Sequence, residues 1–169
     1  MSFKVVDQPT CDNSLRRKIE RIKRKKLASE KVVSLEDFRK LRKPMELLSI
    51  LVVDDDEIMR NAMKRILEGE GYRIILAEDG MELSKVLERV RLDLILLDVN
   101  LPWVDGFELC QMIKGHHSLR NVPLILVSGR KSKEDVRLGF ESGCDDYITK
   151  PFDIDLMTGA IVKALQKSS

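Results

Sequence analysis

The chain is short of the residues that would place it outside ordinary globular proteins. Its 169 residues include only three cysteines, Cys11, Cys110 and Cys144. The number is odd and no two form a C-x-x-C pair, which argues against a disulfide framework or a thiolate zinc site and predicts reduced, partly buried thiols. Nine glycines and five prolines are too few for a low-complexity or fibrous chain, whereas 43% apolar residues suffice for a real core. No apolar run approaches the roughly 18–20 residues of a membrane-spanning helix, and residues 1–10 lack the apolar segment of a secretory signal. The expected location is cytoplasmic. The length leaves room for one ordinary domain and an appendage, with almost none for a second catalytic domain.

What the chain does contain is an uneven charge. Residues 1–48 carry 14 Lys and Arg against 7 Asp and Glu, a net of +7, while the remainder carries 16 against 21, a net of −5. This divides the sequence into a basic, partly helical extension over residues 1–47 and an acidic domain over residues 48–169. In the extension, Leu15, Ile19 and Ile22 share one helical face within residues 15–26, where eight of twelve residues are basic. Ser34 and Asp37 have the spacing of a capping box, which predicts a short helix over residues 35–43 before Pro44. An arm of this kind is ordinarily solvated. Its functional alternatives are docking to a partner protein, nucleic-acid contact and anionic membrane contact. Without interleaved aromatics, sequence-specific DNA binding is the least supported, and packing of the Leu15, Ile19, Ile22 seam on another helix is favoured.

In the acidic part, apolar runs at residues 49–53, 73–77, 93–97, 123–127 and 146–149 alternate with helical stripes. Ile50-Leu51-Val52-Val53 and Leu94-Ile95-Leu96-Leu97 are apolar at every position, as a parallel strand covered on both faces must be. The stripes include Met59, Ala62, Met63 and Ile66; Leu83, Val86, Leu87 and Val90; and Leu156, Met157, Ala160, Ile161, Ala164 and Leu165. Five strands alternating with five helices predict an α/β fold, a doubly wound five-stranded parallel sheet with helices on both faces, for which the flavodoxin-like order 2-1-3-4-5 is taken as the expected one. No output domain is expected after the fifth helix.

Ligands of such sheets bind beyond the carboxyl ends of the strands. Those ends carry Asp54-Asp55-Asp56, Asp98, Ser128-Gly129 and Lys150-Pro151. If the order is the flavodoxin-like one, the first and third strands are adjacent and Asp54, Asp55 and Asp98 converge, and three ionised carboxylates need a counter-charge. Oxygen-only ligands favour Mg²⁺ or Mn²⁺. Asp98 is suited to nucleophilic attack on phosphorus, with Lys150 as fixed cation, Ser128 as donor and Gly129 leaving space. Asp56 is read as a helix cap. His116 and His117 are read as solvated loop residues without acidic partners.

These stretches, together with Asp98-Val99-Asn100-Leu101-Pro102, Asp105-Gly106, and Asp146 to Phe152, resemble the receiver domain of bacterial two-component response regulators across about residues 48–169. The resemblance implies that Asp98 accepts a phosphoryl group from a sensor histidine kinase or phosphotransfer protein. It further implies that Asp54, Asp55, Asp98 and the carbonyl of Asn100 hold Mg²⁺, and that Lys150 contacts phosphate across a cis Lys150–Pro151 bond. Ser128 and Tyr147 resemble the family's switch pair, while Asn100 and Arg130 stand at the positions that tune phosphoryl lifetime. The expected protein is a signalling protein rather than an enzyme. It would act through its fourth helix, fifth strand and fifth helix on a downstream protein, with the basic extension as a further contact and a homodimer as an open alternative. A DNA-binding domain usually follows the fifth helix in transcriptional members. Its expected absence here counts against that role. The rival readings are an aspartyl-phosphate phosphohydrolase of the haloacid dehalogenase type, which would want a second acid where Asn100 stands, and a phosphate-independent adaptor.

Overall fold

The computed structural model describes residues 47–167; Cys11 and the two helices expected in the extension lie outside the described residues. Strands β1 (Ser49–Val53), β2 (Arg73–Ala77), β3 (Leu94–Asp98), β4 (Leu124–Ser128) and β5 (Asp146–Thr149) alternate with helices α1 (Glu57–Gly69), α2 (Gly80–Arg89), α3 (Gly106–Gly115), α4 (Lys133–Glu141) and α5 (Ile154–Lys167). All pairings are parallel and the order is β2-β1-β3-β4-β5, the flavodoxin-like order expected from the sequence.

The all-apolar strands split by parity. Leu51, Val53, Ile95, Leu97, Leu124 and Leu126 face one way and pack with Leu83 of α2 and Phe107, Cys110 and Ile113 of α3. Ile50, Val52, Leu94, Leu96, Ile125 and Val127 face the other way and pack with Met63 and Leu67 of α1 and Met157, Ile161 and Ala164 of α5. Two cores thus share one sheet, and every strand residue of β1, β3 and β4 is buried. Cys110 and Cys144 are buried free thiols; burial pushes Cys144 up to about 12, where it is inert.

The structure corrects several details. β3 and β4 begin and end one residue later than the apolar runs suggest. Pro123 has no amide to donate, although its carbonyl accepts from Ile95 at 2.9 Å. Asp93 turns its carboxylate onto the amide of Ser49 at 2.7 Å. At the other end, Asp98 pairs with Val127 and Ser128 with Thr149, so both site residues are ladder members. Ala62 and Leu156 are exposed, not part of the buried stripes. In α1 Arg60 and Leu67 are buried instead, while in α5 the expected stripe members Met157, Ile161 and Ala164 are the buried ones. His116 and His117 are exposed, with His116 Nδ1 2.8 Å from Ser118 Oγ.

The loop after β3 folds back tightly. Asn100 and Asp105 form an antiparallel bridge, and the Gly106 amide donates to Val99 O at 3.0 Å. A Cβ on Gly106 would lie 2.4 Å from Val99 Cα and 2.6 Å from Asp98 O, so only glycine lets α3 start this close to the end of β3. Gly106→Ala is therefore expected to lower unfolding free energy by about 1–3 kcal/mol in urea titrations, as overpacking does. Gly159→Ala, on an exposed stretch of α5 with nothing within 4 Å of the added carbon, is expected to raise it by about 0.5–1 kcal/mol. Equal responses of the two variants would contradict this account of the β3–α3 junction.

Candidate functional site

Because all five strands run the same way, their carboxyl ends meet at one edge of the sheet. β1 delivers Asp54 and Asp55, and β3, its neighbour, delivers Asp98. One carboxylate oxygen from each of these residues lies within 4.8 Å of the others. Asp54 and Asp98 are buried, whereas Asp55 is exposed and has no hydrogen-bond partner among the described residues. Asp54 Oδ1 accepts from the Asp56 amide at 2.9 Å, and Asp98 Oδ1 from the Asn100 amide at 3.0 Å.

Their other oxygens share one cation. Lys150, just past β5, places Nζ 2.7 Å from Asp54 Oδ2 and 3.0 Å from Asp98 Oδ2. Burial alone would depress the Lys150 ammonium, but hydrogen bonds and charge from the two aspartates outweigh it and hold the group above its ordinary value. For Asp54 the balance runs the other way: burial raises the carboxyl above its usual range, against the opposing pull of Lys150 and the Asp56 amide. The Lys150–Pro151 peptide is cis. The Lys150 amide donates to Ser128 O at 2.7 Å, tying the cation's backbone to β4.

Ser128 is fully buried, and its Oγ accepts from the Arg130 amide at 3.0 Å. Tyr147 has turned inward: its hydroxyl donates to Arg130 O at 2.8 Å and its ring packs over Gly139. A Cβ at Gly139 would sit 2.6 Å from Tyr147 Cδ2, so the missing side chain on α4 is the ring's seat. Arg130 also reaches across the mouth of the site. Its Nε donates to Asn100 Oδ1 at 2.9 Å, and its guanidinium lies 5.5 Å from the Phe107 ring centroid. A Cβ on Gly129 would meet only Asn100 Nδ2, at 3.9 Å, which leaves open space beside Asp98.

Asp56 caps α1 by accepting from the amides of Ile58 and Met59. Sequence reasoning missed Arg60, which lies one turn further on. It is 7% exposed, donates from Nη1 to Asp54 O at 2.7 Å and from Nη2 to Glu78 Oε2 at 2.8 Å, and so fixes the peptide that carries the acid pair. An arginine three residues before Met63, inside an apolar stripe, was the available signal. Trp103, the chain's one tryptophan, lies on the loop that follows Asp98; it donates from Nε1 to Glu78 O at 3.3 Å and covers Gly80. The oxygen-only donor set and the free carboxylate of Asp55 fit Mg²⁺ or Mn²⁺.

Removal of Lys150 leaves two buried carboxylates facing each other. In metal-free buffer Lys150→Met is expected to cost about 3 kcal/mol at pH 7, the low end for breaking a buried pair since Lys150 is a fifth exposed. Asp54 then loses a group that favours its charged form, so its carboxyl rises further. The deficit shrinks as pH falls through that raised value, because protonation removes the uncompensated charge. Urea unfolding at pH 7 and pH 5 measures this; a deficit of the same size at both would show that the ammonium acts only through packing.

A profile of the response regulator receiver domain matches residues 50–162. Over 119 residues the chain is 39% identical to the transcriptional regulatory protein AfsQ1 of Streptomyces coelicolor, covering 70% of this chain and 52% of that protein. It is 33% identical over 156 residues to the CAI-1 autoinducer sensor kinase/phosphatase CqsS of Vibrio cholerae, covering 91% of this chain and 23% of the kinase. That match is longer than the described domain and reaches into the segment before β1. The receiver domain of a signal transduction histidine kinase from Syntrophus aciditrophicus superposes with a TM-score of 0.65 at 35% identity, covering 70% of this chain and 90% of that one. The chain spans about half the length of the curated regulators it matches. A five-stranded sheet of this order, with an acid cluster at its carboxyl edge and a family profile over most of the described residues, means that the chain belongs to the response regulator receiver domain family.

Proposed function

We propose that this receiver domain takes a phosphoryl group on Asp98 from a phosphohistidine of a sensor kinase or phosphotransfer protein. The observation that carries the reading is the shared ammonium of Lys150, which neutralises Asp54 and Asp98 together while leaving Asp55 free. A carboxylate oxygen of Asp98 forms the new O–P bond as the donor's N–P bond breaks, and the departing imidazole is left neutral or takes up a proton. Lys150 balances the charge on the phosphoryl oxygens, and the Ser128 hydroxyl offers a donor from β4. Asp54, Asp55, Asp98 and the Asn100 carbonyl would hold Mg²⁺ or Mn²⁺. Such an ion supplies charge neutralisation between the carboxylates and the incoming phosphoryl group.

The sensor kinases among the relatives support a histidine donor. The encounter proposed is cytoplasmic; among the described residues no helix is long and apolar enough to cross a membrane. The signal would leave through α4, β5 and α5, where Leu138, Phe140 and Leu156 are exposed, toward a downstream protein. The basic residues 1–46 offer that protein a second contact. Tyr147 links the two regions. Its hydroxyl is held by Arg130 and its ring by Gly139, so movement of the β4–α4 loop toward a phosphoryl group shifts the seat of the ring.

With Mg²⁺ and phosphoramidate as donor, intact-mass analysis is expected to show one added phosphoryl group, absent in Asp98→Asn and lost on chelation. Labelling that survives Asp98→Asn overturns the assignment. Tyr147→Ala is expected to take up the group at near the wild-type rate, while phosphorylation no longer alters amide exchange in α4. An α4 response equal to that of the wild type would remove Tyr147 from the switch.

A further inference from the structure

The acid site occupies the carboxyl edge of the sheet; the cavities lie at the opposite edge. A central hollow of about 710 Å³ opens beneath the amino ends of the strands. Leu48, Tyr72, Leu87, Leu92, Leu119 and Val162 give its walls their larger, apolar share, with Arg91, Asp93, Ser118, Asn121 and Gln166 among them. A second hollow of about 640 Å³ shares Leu48, Val90, Arg91 and Asp93 with it and carries Arg73 and Arg89. A third, of about 450 Å³, shares Asn121 and Pro123 and carries Arg120, Lys163 and Lys167. The three adjoin along this edge, the middle one mainly apolar and the two outer ones carrying the basic residues.

The balance of charges at this edge is one-sided. Its carboxylates are already engaged. Asp93 Oδ2 accepts from the Ser49 amide at 2.7 Å, Asp145 Oδ2 from Lys114 Nζ at 2.6 Å and the Leu124 amide at 2.8 Å, and Asp146 Oδ1 from the Tyr147 amide at 2.9 Å. The cations are not. Arg73, Arg89, Arg91, Arg120, Lys163 and Lys167 are exposed and make no ion pair or side-chain hydrogen bond among the described residues. Six cations unpaired among the described residues outnumber the two lining carboxylates that have no cation partner, Asp93 and Asp146, so on a domain whose net charge is −5 this edge carries a local field of the opposite sign.

We propose that this groove binds an acidic amphipathic helix of a partner protein, its apolar face in the central hollow and its carboxylates on the two basic flanks. Apolar anchors at helical spacing suit the hollow, and charge complementarity sets orientation and encounter rate. The chain's own residues 1–46 carry a net +7, the same sign as the flanks, which makes them a poor electrostatic match for the groove. A nucleic acid is the weaker match, because Leu and Val side chains offer nothing to phosphates or bases and the domain as a whole repels a polyanion. Such docking does not depend on phosphoryl transfer.

The test uses the full chain and a fluorescein-labelled helical peptide with Leu on one face and Glu on the other, followed by anisotropy. Binding is expected to weaken at least tenfold in the Arg91→Glu/Lys163→Glu double variant, to remain unchanged in Arg137→Glu on α4, and to weaken as salt rises. Neither Arg91 nor Lys163 has a partner among the described residues, and an unchanged melting temperature for the double variant confirms that the fold is intact. A peptide of the same charge with Leu replaced by Ser is expected to bind at least tenfold more weakly. Equal binding of the two peptides, equal binding of the double variant, or no binding to the wild type overturns the proposal. So does tighter binding of a fluorescent 20-base-pair DNA duplex that the double variant loses.

Discussion

The ammonium of Lys150 is the contact on which the carboxyl edge depends. Two buried aspartates a few ångströms apart repel each other, and each costs free energy to remove from water. One cation between them, supplied from the end of a strand two positions away in the sheet from β3, offsets part of both penalties only if β1, β3 and β5 hold their registers. Those registers are held by the double core, in which every residue of β1, β3 and β4 is buried against a helix layer or a neighbouring strand. Packing energy from the cores is thus spent, at the edge, on keeping charges where they would not otherwise stay.

The same edge shows why helix starts do not take over the role of Lys150. The first amides of α1, α2 and α3 are engaged by the side chains of Asp56, Asp79 and Asp105. Each helix thus satisfies its own orphan donors with a local carboxylate. Asp54 and Asp98 lie beyond those caps and draw on single loop amides and one lysine. At the opposite edge the arrangement is simpler and repeated. Asp93 before β3 clamps the first amide of β1, and Asp145 before β5 clamps the first amide of β4. Each carboxylate joins the start of its own strand to the start of the neighbour, which pins register at the end remote from the acids.

Much of this was legible in the sequence because the signals were local and periodic. Fully apolar runs mark doubly covered strands, and alternation with helices marks a doubly wound sheet; the meeting of Asp54, Asp55 and Asp98 follows once the flavodoxin-like order is adopted, which alternation by itself does not choose. What escaped depends on direction and on emptiness. Whether Ala62 or Leu67 faces the core is settled by a rotation of α1 that short apolar residues do not specify. The buried guanidinium of Arg60 bonds a carbonyl, and a backbone group leaves no mark in the sequence. Gly139 matters through a side chain it lacks, and its partner Tyr147 is on another element.

Trp103 turns the loop after Asp98 into something that can be watched. It is the chain's one indole, its nitrogen is bonded to the carbonyl of Glu78, and its ring lies on Gly80. Arg60 ties the side chain of Glu78 to the carbonyl of Asp54. The indole is therefore joined to β1 through Glu78 and to β3 through its own loop, and it is about a third exposed to water. Intrinsic emission from this ring carries an optical record of how far those two strand ends move apart or together, without any label.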